Sequence, residues 1–145
     1  DHAPFIKEEK EIGKREGIWR AYYGMPSIEC FLPLMLTQVN KGNLTLQQLC
    51  CLMSVNTCKL FGLYPQKACI ATGSDADFTI VDLEKEYRLS VEKMFSKARE
   101  CNRLFDQVAC KGSVEYTIIR GRTVFSHGVV DDSAKGYGQY IARHT

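Results

Sequence analysis

The sequence predicts a mixed α/β chain in which helices come first and strands follow. The apolar residues Ile28, Phe31, Leu32, Met35, Leu36 and Val39 recur at the three-to-four spacing of a helix. Thr45 with Gln48 forms a capping box that opens a second helix. From Gly73 onward the pattern changes to short β-rich runs separated by glycine-containing turns.

Taken in order, residues 6–24 show no sustained period. The run Lys7-Glu8-Glu9-Lys10-Glu11, then Gly13 and Gly17, predicts a long surface loop with one short charged turn, its charges solvated. Loops of this length in compact folds are often functional lids, and Trp19, Tyr22 and Tyr23 favour that reading. The first helix is expected to start near Cys30, with Pro33 in its first turn, and to stop at Asn40-Lys41-Gly42. The second runs through Leu46, Leu49, Cys50 and Met53, and Asn56 or Thr57 starts a short third helix ended by Gly62.

Strands are expected at Phe78–Asp82 and Glu86–Leu89, followed by an irregular stretch from Ser90 to Lys111. Val114–Ile119 and Thr123–Ser126 flank Arg120-Gly121-Arg122 as a β-hairpin. The tail Gly136-Tyr137-Gly138-Gln139-Tyr140-Ile141 has too little apolar mass to pack alone and is expected to dock on something else.

With 145 residues, the chain is long enough for one domain or part of a larger one. A net charge of +2 lacks the basic excess that binding a phosphate backbone needs, so nucleic acid is not an expected partner. No apolar run reaches the roughly 18 residues of a membrane span, and no secretory signal is visible. Seven cysteines, an odd number with no C-x-x-C pair, argue against a disulfide framework or a structural zinc site and favour reduced thiols in a cytoplasmic protein.

The order of several motifs resembles the C-terminal third of a cyclic amidohydrolase. These are Asp1-His2-Ala3-Pro4, Gly24-Met25-Pro26-Ser27-Ile28-Glu29, Leu60-Phe61-Gly62-Leu63-Tyr64-Pro65, the run from Gly73-Ser74-Asp75-Ala76-Asp77 to Asp82, and Ile119-Arg120-Gly121. The superfamily includes dihydroorotase, allantoinase and the dihydropyrimidinase/hydantoinase enzymes. The tail and Phe5 are similar to the dihydropyrimidinase/hydantoinase branch. Ala3-Pro4 and Gly24-Met25-Pro26 are closer to dihydroorotase and allantoinase. Dihydroorotases usually carry a second His where Phe5 stands, to hold the substrate carboxylate.

The resemblance implies an α/β fold: the C-terminal part of a metal-dependent (β/α)8 barrel followed by strands of a small β-sandwich domain. Residues 1–66 would be the end of the barrel with its last loop and helices, 67–130 the β-sandwich strands, and 131–145 a C-terminal tail. The chain is then expected to be a piece of a longer one, and a homotetramer when whole.

The resemblance also implies hydrolysis of a cyclic amide, a dihydropyrimidine or hydantoin-type ring, by a divalent metal centre of binuclear zinc with most ligands outside this chain. Asp1 would be both metal ligand and catalytic proton carrier, at the mouth of a barrel strand where barrel enzymes assemble their sites. His2 is expected to be a hydrogen-bonding partner behind the ligands or a packed imidazole, while His127 and His144 are read as structural. The loop Ala21–Gly24 is the candidate for substrate binding through its backbone N–H and C=O groups. Gly24 would allow close approach, and Tyr22 or Tyr23 either stacks on the ring or serves as plain packing. The alternatives are dihydroorotase or allantoinase activity, or a non-catalytic dihydropyrimidinase-related scaffold protein, whose members tend to lack the acid at position 1.

Overall fold

A computed structural model describes residues 2–143. Asp1, His144 and Thr145 lie outside the described residues. Helices precede an antiparallel sheet, in the order the sequence predicts. The chain forms two compact units: one from the stretch up to Thr37 together with Glu86–Lys111, the other from Gln38–Lys85 together with the stretch from Gly112 on.

In the first unit the charged run is a helix rather than a loop. Helix α1 spans Lys7–Glu16, with acidic residues in its first turn and Lys14 and Arg15 in its last, which suits the helix dipole. Glu9 accepts the Ile6 N–H at 2.8 Å, so one of the unpaired amides at the helix start is satisfied by a residue inside the helix. Gly17, at φ 91°, ends it. Helix α2 spans Ile28–Asn40, starting two residues before Cys30, and Pro33 stands inside it beyond the expected first turn. Proline has no N–H for the carbonyl of the previous turn. The Pro33 carbonyl stays bonded, accepting from Thr37 Oγ1 at 2.8 Å, and that buried hydroxyl accepts in turn from Lys111 N–H at 3.1 Å.

Cys30, Leu89, Val91, Met94 and Cys110 make the core of this unit, with Leu34, Tyr87, Phe105 and Val108 packed around them. Two of the seven cysteines thus act as small hydrophobes. Burial pushes the Tyr87 hydroxyl up to about 12. The stretch read as irregular contains 3-10 turns at Val91–Lys93 and Arg99–Phe105.

In the second unit the capping box forms as expected. The Gln48 N–H donates to Thr45 Oγ1 at 3.1 Å, and the Thr45 N–H to Gln48 Oε1 at 2.7 Å. Helix α3, Leu46–Cys50, does not stop before Asn56. The backbone stays helical through a π-helical stretch, Cys51–Val55, into α4, Asn56–Leu60. Gly62, at φ 67°, follows its end.

The sheet has the order β1-β2-β3-β4, with β1 at Phe78–Arg88, β2 at Ala109–Ile119, β3 at Arg122–Ser126 and β4 at Val129–Val130. β1 is one strand where two were expected. The Asp82 carboxylate accepts from the N–H groups of Glu84 and Lys85 at 2.8 and 3.2 Å, a local turn contact that reads as a break although pairing continues. Arg120-Gly121 joins β2 to β3 and His127-Gly128 joins β3 to β4. Both central residues of each turn have positive φ (44° and 78°, then 47° and 88°), the two-residue geometry that matches strand twist.

The segment before β1 is tied to the first of these turns. Lys67 pairs with Asp75 at 2.8 Å and with Asp77, while Asp77 accepts the Arg120 N–H at 2.7 Å and Ala76 the Gly121 N–H at 2.9 Å. Two motifs separated by more than 40 residues therefore close one network. One residue of the tail docks on the chain itself: Tyr137 lies beneath the Arg120 guanidinium at 4.3 Å and the Arg122 guanidinium at 5.2 Å, and its carbonyl accepts from Arg120, while Tyr140 is 92% exposed.

Glu115 on β2 accepts from Lys85 Nζ at 2.8 Å, from Ser113 Oγ and from His127 Nδ1 at 2.8 Å, while Tyr116 OH donates to His127 Nε2 at 2.6 Å. The lysine, serine and histidine donors, in that order of weight, hold the Glu115 carboxyl down from 4.5 to about 2. A carboxyl depressed in the folded state adds stability above its unfolded value, and that stability is lost as pH falls. Acid unfolding is accordingly expected to steepen between pH 4.5 and about 2, and Glu115→Gln to flatten that limb, as followed by circular dichroism. Independently, Leu36→Ala removes a side chain that is 1% exposed and should cost about 3 kcal/mol in denaturant titration.

Candidate active site

The candidate site lies in the first unit, where the start of the chain meets the loop before α2. His2 and Met25 form a parallel bridge, the Ala3 N–H donates to the Met25 carbonyl at 3.0 Å, and the Ser27 N–H donates to His2 Nδ1 at 3.1 Å. With the Nδ1 lone pair occupied in this way, the neutral imidazole carries its proton on Nε2 and offers no nitrogen lone pair to a metal. The fixed φ of Pro4 suits the tight turn closed by the Phe5 N–H on the Ala3 carbonyl at 2.9 Å.

Phe5 packs on Tyr22, ring centroids 4.8 Å apart and tilted by 48°. Lys10, one turn into α1, donates to the Tyr22 carbonyl at 2.7 Å and to the Gly24 carbonyl, and its ammonium stands 5.2 Å from the centre of the Phe5 ring. The charge read as solvated is therefore a crosslink. Gly24 has φ 82°, a conformation that costs a side-chain-bearing residue dearly. Trp19 and Tyr23 do not join a cluster, being 89% and 66% exposed.

The same loop is held from below by Asn102, which is 0% exposed. Its Nδ2 donates to the Pro26 carbonyl at 3.1 Å, to Cys30 Sγ at 2.9 Å and to Met94 Sδ at 3.4 Å, and its Oδ1 has no partner among the described residues. The Pro26 carbonyl can only accept, which fixes the amide orientation. Glu29 accepts the N–H groups of Phe95 and Ser96 at 2.8 and 2.7 Å, tying the first turn of α2 to the chain before Asn102.

The predicted site residues are thus distributed unevenly. His2, Tyr22 and Gly24 are engaged in one hydrogen-bonded assembly, Tyr23 projects from it, and Asp1 lies outside the described residues. Sequence reasoning missed Lys10, Gly13, Glu29 and Asn102. Among the described residues no group of three or more His, Cys, Asp or Glu side chains could hold a metal ion. These residues by themselves do not fit a metal centre.

The amidohydrolase family profile matches residues 24–124, and the chain belongs to that family. It is 39% identical over 141 residues to a dihydroorotase of Methanothermobacter thermautotrophicus, covering 97% of this chain and 30% of that protein. It is 37% identical over 144 residues to an L-hydantoinase of Paenarthrobacter aurescens, covering 99% of this chain and 31% of that protein. Its structure resembles that of a D-hydantoinase from a Bacillus species, with a TM-score of 0.86 and 35% identity over all of this chain and 31% of the other. The chain spans about 30% of the length of the relatives it matches.

Two substitutions test the assembly. Gly13→Ala would gain about 1 kcal/mol in an open helix. Here the added methyl would lie 2.5 Å from Ala21 Cβ and 2.9 Å from Ala21 Cα. Overpacking costs about 1–3 kcal/mol. A lower denaturant midpoint is expected, with only partial recovery in Gly13→Ala combined with Ala21→Gly, since the backbone contact to residue 21 at 2.9 Å remains. Asn102→Leu strands the Pro26 carbonyl, and a loss of about 1–3 kcal/mol is expected, with faster amide exchange at Ser27.

Proposed function

We propose that this chain is part of a cyclic amidohydrolase that opens a dihydropyrimidine or 5-substituted hydantoin ring. The observation that carries this is the His2–Ser27 and Ala3–Met25 pairing, which joins Asp1-His2-Ala3-Pro4 to the Gly24–Glu29 motif. These are two of the motifs the family resemblance rests on, and relatives of two kinds, a dihydroorotase and a hydantoinase, match over nearly all of this chain.

In this reading residues 1–66 end a (β/α)8 barrel, 67–130 supply β-sandwich strands and 131–145 form the tail. Asp1 takes a proton from the attacking water and passes it to the leaving ring nitrogen, one carboxylate serving as base and then as acid. His2, with its proton on Nε2, orients groups behind that carboxylate. The backbone of Ala21–Gly24 brackets the cyclic amide, with Tyr22 or Tyr23 against the ring. A divalent centre, binuclear zinc in the full reading, would polarise the scissile carbonyl and activate water when bound. From this chain it would draw on Asp1, its other ligands lying beyond these residues.

Phe5 favours the hydantoinase branch, because its ring is engaged by Tyr22 and Lys10 and presents no cation to a substrate carboxylate. The second reading, dihydroorotase activity, is favoured by the dihydroorotase relative. The reading also includes a cytoplasmic homotetramer, the compartment following from cysteine usage. Among the described residues, no helix is long and apolar enough to cross a membrane.

The intact protein containing this chain is expected to open 5-substituted hydantoins or dihydropyrimidines faster than dihydroorotate, to lose activity on chelation, and to regain it with added zinc. Asp1→Asn should lower kcat by about 10²–10⁴-fold. Full activity in that variant, or no ring opening of any of these substrates, would refute the assignment.

A further inference from the structure

Lys10 is a charged residue of the site whose chemistry the proposed reaction does not use. Its ammonium has three donors and no acceptor. Two of its contacts are main-chain carbonyls, those of Tyr22 and Gly24, and a third is the face of Phe5, whose ring in turn packs on Tyr22. One side chain thus fastens two carbonyls of the segment proposed to meet substrate and the Phe5 ring that packs on it. Between Ala21 and Ser27 the segment has neither helix nor strand ladder to hold it, apart from the single bridge at Met25. A segment of this kind samples many backbone states unless its polar groups find fixed partners.

The position of Lys10 is itself over-determined. Glu9 satisfies the amide at the helix start, and Gly13 lets α1 lie against Ala21 more closely than any side chain would permit. Helix α1 therefore presents the ammonium at a set distance from the loop it holds.

We propose that Lys10 is a positioning residue for substrate binding: by holding the Tyr22 and Gly24 carbonyls it presents the loop backbone in a single conformation, so that substrate does not have to order it. The proposal rests on the hydrolase reading. Its expected signature is a loss in KM rather than kcat, because Lys10 touches the loop and not the reacting atoms.

The experiment uses the full-length protein containing this chain, with Lys10→Met and Lys10→Arg variants, a 5-substituted hydantoin as substrate, and amide hydrogen exchange followed by mass spectrometry. In Lys10→Met, exchange in the Tyr22–Met25 segment should rise about tenfold or more, while β2 and β3 stay as protected as before. KM should rise by a similar factor, with kcat and bound zinc little changed. Lys10→Arg, which keeps the charge and several donors, should recover much of both. Unchanged loop exchange in Lys10→Met overturns the proposal, as does faster exchange with an unchanged KM. If the unmodified protein opens neither a hydantoin nor a dihydropyrimidine nor dihydroorotate, the hydrolase reading fails and the substrate role goes with it, while the exchange data still decide whether Lys10 holds the loop. If Lys10→Met does not fold, Lys10→Arg decides through the same two readouts: loop exchange and KM at or near the unmodified values support the proposal, and an exchange or KM no better than that of a loop without the clamp opposes it.

Discussion

A backbone carbonyl outside helix and sheet must find its donor elsewhere or stay in water, and the loop before α2 meets that requirement almost wholly with distant side chains. Lys10 takes the carbonyls of Tyr22 and Gly24, and Asn102 that of Pro26. Ser27 gives its N–H to His2. The loop is shaped by its partners more than by its own sequence. That is why α1, the chain start and the 3-10 turn carrying Asn102 all have to be in place before the candidate site exists.

The second unit solves the same problem with charge. Lys67, Asp75 and Asp77 fasten the segment before β1 to the Arg120-Gly121 turn, and Lys85, Ser113 and His127 surround Glu115. Exposed ion pairs taken singly contribute little. These are networks in which Asp75 also accepts from the Gln66 side-chain amide, Asp77 from a backbone amide and Glu115 from a hydroxyl, and so they fix geometry as much as they add stability.

What the sequence made legible is what local chemistry determines. Thr45 and Gln48 lie within one turn of each other, and their capping box could be read directly. Arg120-Gly121 between two β-rich runs announced its hairpin in the same way. Helix α1 was hidden because Gly13 looks like a breaker, whereas it is there to make room for Ala21. Lys10 resembled any surface charge, since its carbonyl partners are 12 and 14 residues away. Asn102 bonds across 76 residues, beyond the reach of any periodicity argument. The family resemblance, by contrast, needed only the order of motifs, and the comparison with known amidohydrolases bears it out over residues 24–124.

The π-helical stretch Cys51–Val55 carries a consequence for reading this helix in other sequences. Its wider turns use more residues per revolution than the 3.6 of an α-helix. Beyond buried Leu49, Cys51 and the successive residues Met53, Ser54 and Val55 are half-buried, and in α4 the half-buried position is Cys58 while Asn56, Thr57 and Leu60 are exposed. A heptad-style phase carried forward from Leu46 would turn the wrong side of α4 inward. A homologue with an unbroken α-helix here would need one residue fewer to present the same face, so a single-residue gap in an alignment at this place would mark a change of helical winding and not a change of surface.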